Sequence, residues 1–231
     1  MRLISAFFAL AAAFVAVPAA AQLIEVPGRA ALPATTDKEN LWLLDLSDGG
    51  RVTIWLRPDV APKMVERIKT LTRRKFYDGL AFHRVIDGFM AQGGDPKGDG
   101  TGGSDLPDLP KEFNYLPHVR GAVSAAREGA PEGATQEQKD KAEGSANSQF
   151  FIVFTPRLSL DQKYTVFGRV IDGMQYVDAI ERGEPPENPT RIVHAYIAAD
   201  NPPAYAPPPP PVMVAPETLP PGPGRKAPPA K

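Results

Sequence analysis

The stretch Phe82-His83-Arg84-Val85-Ile86-Asp87-Gly88-Phe89-Met90-Ala91-Gln92-Gly93-Gly94-Asp95 decides the reading of this chain, together with Ser148-Gln149-Phe150-Phe151. One arginine is set among alternating apolar residues. In ideal alternation Phe82, Arg84 and Ile86 share a face and His83 points the other way. Gln92 and Gln149 are polar residues inside apolar runs. Burying such side chains costs free energy unless they are hydrogen-bonded. Several together suggest an apolar pocket with a few placed donors. No cysteine, acidic pair or serine–histidine couple lies nearby. That is a poor kit for covalent or acid–base chemistry and a good one for holding an apolar ring beside an amide.

Outward from this stretch, residues 40–200 carry a globular pattern. Leu41 to Leu46 and Arg51 to Leu56 flank Ser47-Asp48-Gly49-Gly50, a hairpin signal. Pro62 opens a helical segment in which Met64, Val65, Ile68 and Leu71 recur at helical spacing. Lys63, Glu66, Arg67 and Lys69 fall on its other face. Further strands are expected at 81–86, 89–92, 120–125, 149–154, 164–170 and 191–198, and a second helix at 174–182. Many short strands with two helices argue for a mainly β domain, a closed antiparallel barrel capped at its ends.

The two ends differ from this middle. Arg2, the apolar run Leu3 to Val17 and Ala19-Ala20-Ala21 read as a signal peptide over 1–21, cut ahead of Gln22. The apolar run is about 15 residues, short of the roughly 20 that span a bilayer. A periplasmic or secreted protein is therefore expected, with no stable membrane insertion after cleavage. Residues 22–39 read as a linker. Residues 201–231 hold 13 of the 27 prolines, including Pro207 to Pro211. Proline fixes φ and lacks an amide donor, so this tail is expected to be extended or disordered. It is either a ligand or spacer, or a tail without a role.

Composition narrows the function further. The net charge of −1 gives no global field for nucleic acid. Without cysteine, disulfides and thiolate catalysis are excluded. Residues 98–103 formally match G-x-G-x-x-G, but Ser104-Asp105-Leu106-Pro107 follows where a helix would have to open. Asp95, Asp99 and Asp105 would repel phosphate. A calcium loop fails too, because Leu106 stands where a bidentate glutamate is needed. His83, His118 and His194 lack metal-ligand spacing, so no metal is expected. His83 reads as a hydrogen-bonded packing residue.

FHRVIDGFMAQGGD (82–95), SQFFI (148–152) and YTVFGRVIDGM (164–174) resemble the signature of the cyclophilin-type peptidyl-prolyl cis-trans isomerases. The resemblance covers roughly residues 40–198 and implies an eight-stranded barrel with two helices. It also implies catalysis of Xaa-Pro rotation without a cofactor, here in an exported bacterial protein expected to be a monomer acting on proline-containing polypeptides. It assigns to Arg84 the stabilisation of the twisted amide. It implies an apolar proline slot at Phe89, Met90, Phe151 and Leu160. Gln92, Gln149 and the backbone around Ala126-Arg127 would hold the flanking peptide.

Three positions depart from the family pattern. Ser159 stands where many members have the tryptophan chiefly tied to cyclosporin binding. Tyr164 stands where many have a histidine lining the slot. Arg127 replaces an asparagine and adds a positive charge. The segment of about 128–146 is longer than its usual counterpart. Thr135-Gln136-Glu137-Gln138 looks like a capping box, so a short solvated helix is expected at 136–142. The insertion is either a tolerated surface loop or a flap that touches substrate or partner. A second reading of the whole chain is a peptide-binding adaptor of the same fold with little catalysis.

Overall fold

The structure is a computed structural model and describes residues 31–206. The signal peptide expected over 1–21 lies outside the described residues, as do 22–30 of the linker and 207–231 of the tail.

Eight strands form one antiparallel sheet. They are β1 (Leu41–Leu46), β2 (Arg51–Leu56), β3 (Arg84–Ile86), β4 (Met90–Gly93), β5 (Ala122–Ala125), β6 (Phe150–Val153), β7 (Val166–Asp172) and β8 (Ile192–Ile197). Their spatial order is β3-β4-β6-β5-β7-β2-β1-β8. The sheet curls until its edges approach, but no continuous ladder joins β3 to β8. The seam is made by isolated bridges at Ala81–Arg191 and Val85–Gly183. Phe82 N also donates to Thr190 O at 2.9 Å, and Ile192 N to Leu80 O at 2.8 Å. The expected barrel is thus a strongly curled sheet with a lightly stitched seam.

Helix α1 (Pro62–Arg73) packs Met64, Val65, Ile68 and Leu71 into the barrel core. Its own N-cap residue supplies no side-chain bond. Glu112 does so from a distant loop, accepting from Lys63 N at 3.0 Å and Met64 N at 2.9 Å. A carboxylate there satisfies free amides and faces the positive end of the helix. The outer face differs from expectation. Arg67 and Lys69 are buried rather than solvated. Arg67 reaches Pro107 O at 2.6 Å and Lys69 reaches Asn40 Oδ1 at 3.0 Å. Both long side chains serve as struts to neighbouring segments, which periodicity within one helix cannot reveal.

In the insertion, α2 (Gln136–Glu143) is closed by the expected capping box. Only Ala142 of this helix is buried. Lys111 anchors it by ion pairs to Glu143 at 2.6 Å and Asp140 at 3.3 Å. The third helix, α3 (Met174–Ala179), is shorter than expected and buries Val177.

Alternation divides the apolar residues between two cores. Along β6, Phe150 and Ile152 enter the barrel with Trp42, Ile54, Phe82, Val85 and Phe167. Phe151 and Val153 face outward and join Met90, Ala122, Ala126 and Val166 in a second cluster. All four β6 residues are buried, so both faces of this strand are covered. The outer cluster positions the site.

Candidate functional site

Antiparallel register lines up the central residues. Arg84 is opposite Gln92, Gln92 is opposite Phe151, and Phe151 is opposite Ser124. Residues in direct register share a face. One row across β3, β4, β6 and β5 therefore carries guanidinium, amide, phenyl ring and hydroxyl in sequence. The structure corrects one detail of the alternation. Regular strand begins only at Arg84, and Phe82 turns inward with Val85. Phe82 and Arg84 do not share a face. His83 is buried, yet neither ring nitrogen makes a hydrogen bond of ordinary geometry. It packs as expected but is not tied.

The polar half of the site is a chain of hydrogen bonds. Arg84 Nε donates to Glu184 Oε2 at 2.7 Å, and Arg84 Nη1 lies 3.5 Å from Gln92 Oε1. Gln92 Nε2 donates to Gln149 Oε1 at 2.9 Å. Gln149 Nε2 then donates to Gly102 O at 2.7 Å and Gly100 O at 3.0 Å. The half-buried glutamine amides are thereby paired with one another and with the loop, as their setting required.

Those carbonyls belong to the glycine-rich loop, which Asp95 shapes from within. The buried Asp95 carboxylate accepts from Lys97 N at 2.8 Å, Asp99 N at 3.1 Å and Gly100 N at 2.6 Å. Burial pushes its pKa up, but these amide bonds outweigh that and hold it below the usual carboxylate range. Residue 102 must be glycine, since a Cβ there would sit 2.0 Å from Asp95 Oδ1. The loop's backbone amides thus serve an internal carboxylate, which accounts for the glycines without a nucleotide.

The apolar half groups Met90, Phe151 and Ala126 with the half-buried Phe89, Leu160 and Tyr164. Phe151 and Tyr164 meet edge to face, with centroids 5.7 Å apart at 84°. Arg127 lies over Tyr164, its guanidinium carbon 4.4 Å from the ring centroid. Its Nε donates to Lys163 O at 3.1 Å and its Nη1 to Glu128 O at 2.8 Å. Across the slot Arg157 sits 5.1 Å from the Phe89 ring. Ala126 N donates to Gln149 O at 3.0 Å, which ties the end of β5 to the polar chain. Beside the slot opens a polar cleft of about 500 Å³, lined by Gln92, Gly102, Ser104, Ala126, Arg127 and Gln149 among others.

All ten residues singled out in the sequence therefore converge on one face. Others went unnoticed. His118 stacks on Phe151 from beneath, and its Nδ1 and backbone N both meet Asp161 Oδ1 at 2.8 Å. Its Nε2 lies 3.1 Å from Ser124 Oγ. Glu184 contacts Arg84 across 100 residues of chain. Neither pairing has a local sequence signal. Among the described residues, no group of three or more His, Cys, Asp or Glu is placed to hold a metal ion. Among them, no helix is long and apolar enough to cross a membrane.

Comparison with known proteins gives a consistent picture. Residues 43–197 match the family model described as cyclophilin type peptidyl-prolyl cis-trans isomerase/CLD. A probable peptidyl-prolyl cis-trans isomerase of Brucella suis is 46% identical over 183 residues, covering 72% of this chain and 87% of that protein. Peptidyl-prolyl cis-trans isomerase B of Bacillus subtilis is 39% identical over 140 residues, covering 60% and 89%. A cyclophilin crystal structure from Hirschia baltica aligns with a TM-score of 0.61 at 28% identity, covering 71% of this chain and 76% of that one. The match to the family model runs from Leu43 within β1 to the end of β8 and so takes in nearly all of the curled sheet. This chain belongs to the cyclophilin-type peptidyl-prolyl cis-trans isomerases, and its activity is the rotation of Xaa-Pro bonds.

Proposed function

We propose that this isomerase works on exported proteins, with Arg84 as its catalytic residue and the Phe89–Met90–Phe151–Leu160–Tyr164 slot as its proline seat. The observation that carries the assignment is the register row that sets the Arg84 guanidinium two strands from Phe151 on one face. Rotation makes and breaks no covalent bond. Its barrier is about 18–20 kcal/mol because amide resonance is lost in the twisted state. Catalysis must favour that state over both planar forms.

Twisting pyramidalises the prolyl nitrogen and gives it a lone pair. A guanidinium hydrogen bond to that nitrogen is strongest where resonance is absent. Arginine suits the task because it stays charged and its fork is rigid. The apolar slot grips the ring while the peptide turns about it. Gln92, Gln149 and the Ala126–Arg127 backbone hold the flanking chain in an extended conformation. Everything needed is in side-chain and backbone donors, so the mechanism calls for no cofactor.

Export rests on the residues of 1–21, and the working unit on residues 40–200, with 201–231 as an appendage. The mature enzyme is a monomer in this reading. Two measurements test the proposal. Prolyl exchange in a short Xaa-Pro peptide, at catalytic enzyme concentration, should accelerate with the parent chain and lose most of that acceleration in Arg84→Ala. Mass spectrometry of protein from the periplasmic fraction should find Gln22 as the first residue. Unchanged exchange with the parent would favour the adaptor reading, and an intact leader would remove the export assignment.

A further inference from the structure

We infer that Glu184 is a positioning residue for Arg84, one that fixes the plane of the guanidinium before substrate arrives. The inference rests on the reading that Arg84 acts on the twisted amide. Glu184 lies on the loop between α3 and β8, outside the sequence motifs of the site. Its Oε2 accepts from Arg84 Nε at 2.7 Å.

The backbones of the two residues are fixed relative to each other. Val85 N donates to Gly183 O at 2.7 Å, and Gly183 N donates to Val85 O at 2.9 Å. These are the chain neighbours of Arg84 and Glu184, so a reciprocal pair of bonds sits directly beside the ion pair. Gly183 has φ +150, and a Cβ there would meet Pro186 Cα at 2.5 Å. The loop's own turn into Pro185 and Pro186 therefore requires glycine at this point. One residue earlier, Arg182 stacks over Phe154 at 4.3 Å and pairs with Asp87 at 3.2 Å. The loop is held on both sides of the sheet edge.

Geometry then assigns each donor of the fork. Nε is engaged by Glu184, and Nη1 is turned toward Gln92 at 3.5 Å. Among the described residues, no protein group accepts from Nη2. A guanidinium is planar, so fixing Nε and steering Nη1 fixes the direction of Nη2 as well. Without the carboxylate, Arg84 would regain rotamers and would have to be ordered during each turnover. The effect falls on the twisted state, where the arginine is needed, and little on the planar substrate.

Both partners are about half exposed, with side-chain exposures of 42% and 50%. Solvent screening keeps such a pair modest. We therefore expect Glu184→Ala to lower kcat about three- to tenfold, with KM within about twofold of the parent. The thermal midpoint should stay unchanged. Glu184→Gln should recover part of the rate, because its amide oxygen still accepts from Nε. In an Arg84→Ala background the Glu184→Ala loss should vanish.

The experiment compares the full parent chain with Arg84→Ala, Glu184→Ala and Glu184→Gln, and with each Glu184 change in the Arg84→Ala background, read as kcat, KM and thermal midpoint with one Xaa-Pro peptide. If Arg84→Ala loses activity while Glu184→Ala and Glu184→Gln match the parent, the positioning role is wrong and the Arg84 assignment survives. An equal Glu184 effect with and without Arg84 overturns it too. If Arg84→Ala itself matches the parent, the underlying reading of Arg84 fails. Should Glu184→Ala not fold, the Glu184→Gln rate and its dependence on Arg84 decide.

Discussion

His118 lies parallel to Phe151, with ring centroids 6.1 Å apart and planes 16° apart, and forms the underside of the slot's aromatic wall. The imidazole is fully buried and tied to Asp161 and Ser124. Its chemistry is thus coupled to the stability of the wall rather than to the substrate.

Burial pulls the pKa of His118 below the ordinary histidine value, and Asp161 offsets only part of this. Burial shifts His83 the same way. With folded values below unfolded ones, the unfolded chain binds more protons as pH falls under about 6.5. Stabilisation is full above that pH and is lost as pH drops through the folded values. The urea midpoint should fall between about pH 7 and pH 5. The fall should shrink in His118→Gln. An equal fall in parent and variant would remove His118 from the account.

Arg84→Ala should lower kcat/KM on Xaa-Pro peptides by about 10²–10³, or roughly 3–4 kcal/mol of transition-state stabilisation. Peptide affinity should fall much less, because a planar amide nitrogen offers no lone pair. Arg84→Lys should restore little. Lys63→Ala, at an exposed position of α1, is the control and should change neither quantity. Rate and affinity falling together would make Arg84 a binding residue only.

The first residues after β8 pack back on the hairpin. Arg51 Nη1 donates to Pro203 O at 3.2 Å, and the guanidinium sits 5.6 Å from the Tyr205 ring. Truncation after Ala206 should leave the unfolding midpoint and the isomerase rate unchanged. Truncation after Asp200 should cost about 0.5–1 kcal/mol, the scale of an exposed cation–π contact with one hydrogen bond. Equal stability of the two truncations would show that these contacts contribute nothing measurable.

Ser159 is exposed at the rim of the slot. It offers neither the indole donor nor the area of a tryptophan. Cyclosporin should inhibit weakly, and Ser159→Trp should strengthen inhibition by about tenfold or more, which is ~1.4 kcal/mol. Tight inhibition of the parent would mean that another residue of the rim holds the drug.

Strands and slot were legible where local pattern and fold agree. The alternation Phe150-Phe151-Ile152-Val153 places two residues in each core, and Gln149 and Gln92 stood out because an apolar run had to satisfy them. What stayed hidden depends on partners distant in the chain. Arg67 and Lys69 looked solvated because Pro107 and Asn40 cannot be seen from α1. His118 waits on Asp161, 43 residues on, and Glu184 on Arg84. The inward turn of Phe82 is a break in strand regularity that composition does not encode.

The stitching between β3 and the Gly183 loop has a consequence for how the enzyme fails. Proteins open first where their edges are least bonded. Here that edge carries Arg84 and its partner Glu184, while β1–β2 and β4–β6 are joined by continuous ladders. Gentle warming would therefore loosen the contact between β3 and the Gly183 loop first, and under the proposed role of Arg84 the activity would fade before the domain unfolds. On cooling, activity would return without any refolding of the domain: a fuse at the edge of the sheet, reset by the closing of a few backbone bonds.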